Sequence, residues 1–168
     1  SNVASSLMSR QKVKHQMSSA IGRSQSAKRS PVVVCNADGQ KSRIGLCGLA
    51  VMGQNLALNV AEKGFPISVY NRSADKTDGC VNRAEKEGLS SKLRGYKDLK
   101  EFVESIEKPR HIIILVKAGA PVDATIEGLS QFLEPGDCIV DGGNEWYENT
   151  ERRMKEVQEK GLLYLCMG

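Results

Sequence analysis

Four short segments carry residue types and spacings that could do chemistry. The first is Gly48-Leu49-Ala50-Val51-Met52-Gly53, set between a run that reads as a strand and a run that reads as a helix. A glycine at its first position permits a tight turn, and one at its sixth lets the helix pack close against the strand. Backbone amides at the helix start can then face an anion, where the helix dipole also favours negative charge. Ala50 stands where many such turns have a second glycine, and a methyl group allows backbone approach only slightly less well. The chemistry this arrangement suits is the capture of a dinucleotide's pyrophosphate. The plainer reading is a glycine-rich turn with no ligand.

The second segment, Asn71-Arg72-Ser73, ends the next expected strand, about twenty residues on. A domain that binds NAD places a carboxylate there against the ribose hydroxyls, and a carboxylate would repel a 2′-phosphate. A guanidinium can instead meet that phosphate with paired charge-assisted hydrogen bonds and stack on the adenine. The residues therefore select NADP, with Asn71 and Ser73 as neutral donors to the same phosphate or ribose. The alternative is that Arg72 is a solvated surface charge.

The third segment, Val116-Lys117-Ala118-Gly119-Ala120-Pro121, leaves an apolar strand at its carboxyl end, the edge where open α/β sheets bind ligands. Val116, Lys117 and Ala118 are candidate cofactor contacts, although Lys117 also reads as a simple exposed lysine. The fourth, Asp141-Gly142-Gly143-Asn144, also follows a strand, and Asn144 offers both a donor and an acceptor beside the nicotinamide or the substrate.

These segments need a sheet to bring them together. Short apolar runs alternate with helical patterns along the chain, which predicts the α/β class: a Rossmann-type, doubly wound, mostly parallel sheet in three αβα layers. Strands are expected at Ile44 to Cys47, Ile67 to Tyr70, Leu93 to Tyr96, Ile112 to Val116, Cys138 to Val140 and Leu162 to Cys166. Helices are expected at Val51 to Lys63, Asp75 to Glu87, Lys97 to Ile106, Pro121 to about Leu133, and from Asn149 or Thr150 to Lys160.

The chain ahead of this pattern differs in composition. Ser1 to Ala37 holds no carboxylate, while Arg10, Lys12, Lys14, Arg23, Lys28 and Arg29 lie scattered among serines. Such a segment is expected to be a disordered or extended basic arm. It divides the chain into a transit-peptide-like arm over 1–41 and a dinucleotide-binding domain over 42–168. An address of that kind places the protein in a plastid, with the cytoplasm as the alternative, and leaves the arm open to a protein partner. Nucleic acid is not an expected ligand, since the arm has no aromatic residue to stack on bases and the net charge is only +4. No run of about 18 apolar residues is present to span a membrane. The five cysteines form no CxxC, so no metal site is expected. Cys47, Cys138 and Cys166 read as strand residues, and Cys80 as an exposed helix residue where redox control is the minority reading.

Taken in order, GLAVMGQNLALN, VYNRS, ILVKAGAPVD and CIVDGGNEWYENTERR resemble 6-phosphogluconate dehydrogenase from Arg43 to Gly168, in the form found in plants. The resemblance implies an N-terminal NADP-binding domain of an enzyme that oxidises and decarboxylates 6-phosphogluconate to ribulose 5-phosphate, in the pentose phosphate pathway. It implies that Arg72 meets the 2′-phosphate, that Val116 to Ala118 border the cofactor, and that Asn144 touches nicotinamide or substrate. The family has a glycine where this chain has Cys166. Its general-base lysine, general-acid glutamate and helical dimerisation domain fall beyond Gly168, so no residue here inherits a catalytic role. Activity by this chain alone is not expected, and 6-phosphogluconate becomes a ligand only if the C-terminal part is supplied. The alternative is a non-catalytic NADP-binding or structural subunit of a larger assembly. A 3-hydroxyacid dehydrogenase domain shares the glycine turn and the Asn-Arg pair, but GGNEWYENTERR argues against it.

Overall fold

In a computed structural model, residues 40–167 are described. They form β1 (Ile44–Cys47), α1 (Val51–Glu62), β2 (Ile67–Tyr70), α2 (Ala74–Lys86), β3 (Leu93–Tyr96), α3 (Leu99–Glu104), β4 (His111–Ile114), α4 (Ala120–Ser130), β5 (Cys138–Asp141), α5 (Tyr147–Glu159) and β6 (Leu163–Cys166). The six strands make one parallel sheet in the order β3-β2-β1-β4-β5-β6. The chain winds outward from β1 to β3, then crosses to β4 and winds the other way. The loops leaving β1 and β4 therefore diverge, and that divergence opens a crevice at the carboxyl edge of the sheet.

Side-chain parity in the strands builds two apolar layers. Ile112 and Ile114 of β4 join Phe102, Val103, Ile126, Leu129, Ile139 and Val157 on one face. Ile113 joins Leu46, Leu58, Val69, Ala84 and Val140 on the other. A strand buried on both faces has to be apolar throughout, which is why the isoleucine run stands out in the sequence.

Two details depart from the sequence expectations. Cys80 is fully buried rather than exposed, because Thr77, Cys80 and Ala84 form the inward stripe of α2. Burial pushes its thiol up to about 11, which removes the thiolate that redox control needs. The last helix begins at Tyr147 with Trp146 as its cap residue, ahead of the expected Asn149 or Thr150. The Asn149 amide donates instead to Glu145 Oε1 at 3.1 Å. The expected basic arm lies outside the described residues except for Gln40 and Lys41. The fold takes hold of the chain at once after them, with Ser42 N–H donating to Ser105 O at 2.9 Å and Ser42 O accepting from Glu107 N–H at 2.9 Å.

The amino edge of the sheet is closed by a buried ion pair. Arg110 Nη1 donates to Asp137 Oδ2 at 2.8 Å, and both side chains are at most 5% exposed. Burial works against charge on Asp137, but the amides of Glu134 and Arg110 and the guanidinium outweigh it and hold the carboxyl below its ordinary range. Removing one partner of a buried pair leaves the other charged and dry. Asp137→Ala is expected to cost about 3–5 kcal/mol in urea unfolding, whereas an exposed control such as Lys100→Ala should change stability by less than about 1 kcal/mol.

Candidate functional site

The turn after β1 is built by two glycines that touch. Gly48 has φ 105°, a left-handed conformation that side chains resist, and a Cβ there would lie 2.3 Å from Leu115 O. A Cβ on Gly53 would lie 1.9 Å from the carbonyl oxygen of Gly48 itself. The first turn of α1 can thus sit directly on the strand-to-helix turn. α1 opens on Ala50, whose side chain provides no cap, so the first-turn amides at Val51, Met52 and Gly53 are left to an anion. The Val51 and Met52 side chains are largely exposed beside them.

Asn71 links this turn to the end of β2. Its Oδ1 accepts from Leu49 N–H at 3.0 Å and its Nδ2 donates to Ser73 O at 3.1 Å. Leu49 is fully buried and its amide is occupied by Asn71, so it frames the site rather than facing a ligand. Gly48 N–H donates to Tyr70 O at 3.0 Å, a second tie between the same two strand ends. Asn71 is therefore chiefly a brace, with one amide hydrogen left for a ligand.

A cleft of about 380 Å³ opens here. Of the residues expected from the sequence it is lined by Gly48, Asn71, Arg72, Ser73, Val116 and Lys117. Cys47, Tyr70, Lys76, Leu99, Pro121, Ala124 and Thr125 complete the lining. Gly53 lies beneath the turn, and Ala50, Val51 and Met52 form the helix start outside that lining. Arg72 and Lys76 are both exposed to solvent, and neither has a carboxylate partner among the described residues. Lys76 was not anticipated. Its signal is positional: it sits four residues after Arg72, one turn into α2, where a helical side chain returns to the strand end. Tyr70, Leu99, Pro121 and Ala124 give the same cleft an apolar share of its lining, suited to a flat ring.

Ala118 and Asn144 lie on exposed loop segments outside the cleft lining. Beneath them is a polar cluster that the sequence did not announce. Arg153 of α5, with a side chain 1% exposed, donates to Asp123 Oδ1 at 2.8 Å, Glu145 Oε2 at 2.6 Å and Gly119 O at 3.1 Å. Glu145 Oε2 also accepts from Gly119 N–H at 2.8 Å. Buried Asp141 accepts from Tyr164 OH at 2.6 Å and from Gly143 N–H at 3.0 Å. The only available signal was charge at positions later found to be dry, which a linear sequence does not reveal. Among the described residues, no three His, Cys, Asp or Glu side chains gather as metal ligands, and no helix is long and apolar enough to cross a membrane.

A parallel sheet wound both ways from a central switch point, with a two-glycine turn facing that point and, one strand over, two cations without a carboxylate partner among the described residues, defines a dinucleotide-binding domain of the Rossmann class. The family model described as the NAD binding domain of 6-phosphogluconate dehydrogenase matches residues 43–168, and the chain belongs to that family. It is 71% identical over 127 residues to "6-phosphogluconate dehydrogenase, decarboxylating 1" of Spinacia oleracea, covering 76% of this chain and 26% of the relative. It is 65% identical over 127 residues to the decarboxylating 1, chloroplastic form of Arabidopsis thaliana, covering 76% of this chain and 26% of the relative. The chain thus spans about a quarter of the length of the curated relatives it matches. Some of these relatives are named chloroplastic and others carry no compartment in their names.

Among solved structures, it is similar to Plasmodium falciparum 6-phosphogluconate dehydrogenase, determined in its apo form, with its cofactor NADP+ and with its substrate 6-phosphogluconate. The TM-score is 0.69 at 50% identity, over 73% of this chain and 26% of that one. A Mycobacterium tuberculosis 3-hydroxyisobutyrate dehydrogenase aligns at TM-score 0.62 and 15% identity, over 76% of this chain and 40% of that one, and shares the fold alone.

The cluster makes a pH-dependent contribution to stability. The Gly119 amide, then Arg153, hold the Glu145 carboxyl down to about 2 from an ordinary 4.5. The Arg153 hydrogen bond, ahead of that from Arg152, holds Asp123 at about 2 from 3.8. Folded values below unfolded ones mean that the stabilisation is complete above the ordinary range and is lost as pH falls toward the folded values. The thermal midpoint of the wild type relative to Glu145→Gln is expected to stay level from pH 7 to about 5, then narrow between pH 4.5 and 2. A gap that widens on acidification would reverse that sign.

Proposed function

We propose that residues 42–168 bind NADP(H), as the cofactor-binding part of a 6-phosphogluconate dehydrogenase. In the longer protein this part serves the NADP-dependent oxidative decarboxylation of 6-phosphogluconate to ribulose 5-phosphate. The observation that carries the reading is the placement of Arg72, with Lys76, at the rim of the cleft that the Gly48 turn enters, both without a carboxylate partner among the described residues. Two bare cations beside an anion-binding turn are what an additional phosphate on the adenosine ribose requires. NAD, with two hydroxyls there, would leave them unmatched.

In this reading the amides from Ala50 to Gly53 hold the pyrophosphate, while Gly48 and Leu49 set the turn. Arg72, Lys76 and Ser73 take the 2′-phosphate, and the adenine lies against Tyr70, Leu99 and Pro121. Val116, Lys117 and Ala118 follow the cofactor along the edge of the sheet toward the nicotinamide, and Asn144 faces the nicotinamide or the substrate. When bound, the nicotinamide accepts a hydride from the sugar acid, and this chain's own residues hold and orient it. The Plasmodium falciparum relative, solved with NADP+ and with 6-phosphogluconate, supports the choice of both ligands. The chloroplastic relatives, together with the acid-free basic segment ahead of residue 38, support a plastid location.

Arg72→Glu replaces a charge-assisted pair with repulsion, and such a pair is worth roughly 1.5–3 kcal/mol. Calorimetric titration of the variant should show NADPH weakened by at least about 2 kcal/mol and NADH far less. Equal losses for the two nucleotides would overturn the assignment of Arg72.

A further inference from the structure

We infer that Arg153 and Glu145 are positioning residues for the nicotinamide half of the site, acting as a clamp that sets the distance between the loop after β4 and the loop after β5. The inference rests on the NADP reading and adds a role for two side chains that do not line the cleft.

Arg153 heads the largest fully buried side chains of the described residues, and a dry guanidinium is costly unless its donors are matched. It is matched by groups from three places. Asp123 belongs to α4, Glu145 to the loop after β5, and the carbonyl of Gly119 to the loop after β4. Glu145 then returns to the same loop, accepting from Gly119 N–H through the oxygen that Arg153 also holds. Both backbone polar groups of Gly119 are thereby gripped by one ion pair. Its φ of 90° and ψ of −142° give the chain a conformation that needs such fixing as it turns into α4.

Glu145 directly follows Asn144, and Gly119 lies two residues after Lys117, so the clamp joins the two segments proposed to flank the nicotinamide. The adenosine half is held by Arg72, Lys76 and the Asn71 brace at the end of β2, none of which the clamp touches. That half's one contact on α4, Pro121, belongs to a helix kept in place by the buried Val122, Ile126 and Leu129. A purely structural ion pair would weaken both halves together when broken, or neither. A positioning pair should affect one half.

The test measures the affinity of the full 168-residue chain for NADPH and for 2′,5′-ADP, which carries only the adenosine half, in wild type, Arg153→Lys and Glu145→Gln. Arg153→Lys keeps the charge but cannot reach three acceptors at once. Partners that orient the ligands of a metal commonly change affinity by about 10- to 100-fold when removed, and the low end of that range is taken for a clamp that orients two loops. Each variant is therefore expected to weaken NADPH by about tenfold, with 2′,5′-ADP held within about twofold of wild type. Should Arg153→Lys fail to fold, Glu145→Gln carries the same comparison. Parallel loss for both ligands, or wild-type NADPH affinity in a folded variant, overturns the clamp. A wild type that binds neither ligand defeats the NADP reading itself, so the two failures are distinguishable.

Discussion

The space above the Gly48 carbonyl is the constraint on which the rest depends. A Cβ at Gly53 would fall 1.9 Å from that oxygen, so α1 rests on its own entry turn only because both positions lack a side chain. The close approach puts the amides of the first turn at the carboxyl edge of the sheet, next to the point where the winding reverses. Asn71 then carries the constraint sideways, joining the turn to the end of β2 and holding Arg72 and Ser73 at the rim of the cleft. A glycine contact on one strand thus determines where a guanidinium stands on the next.

The two edges of the sheet use buried charge in different ways. At the amino edge Arg110 and Asp137 close a turn on themselves, far from the cleft, and their role is stability. At the carboxyl edge Arg153 reaches across α4 and two loops, and its partners include the carbonyl of Gly119, two residues after the Lys117 that lines the cleft. The charges are similarly dry, yet one pair anchors a turn and the other spaces two loops. The alignment of partners, rather than the presence of an ion pair, separates the roles.

The sheet was legible because its strands are short apolar runs bounded by glycine, proline and charge, and β4 is unmistakable as three isoleucines. The candidate site was legible where position along a strand decides placement, as with Gly48 and Arg72, which both line the cleft. It was illegible where a side chain's partner lies distant in sequence. Asn71 reads as a phosphate donor until its amide is seen between Leu49 and Ser73. Asn149 reads as a helix cap until it turns to Glu145. Cys80 reads as exposed on a charged helix, although its spacing from Thr77 and Ala84 marks the buried stripe. Lys76 and Arg153 were not anticipated, and only the folded chain distinguishes the one lining the cleft from the one buried outside it.

The cations at the end of β2 are proposed to receive the phosphate on the adenosine ribose. A free monoester phosphate gains its second proton near pH 6, and pairing with a guanidinium and an ammonium favours the dianion. Phosphorus NMR of bound NADPH across an acid titration tests this directly. The 2′-phosphate resonance of the bound nucleotide is expected to keep its dianion position to about pH 5, well below where the free nucleotide titrates. A bound resonance that moves with pH as the free nucleotide's does would place that phosphate in water and contradict the claim.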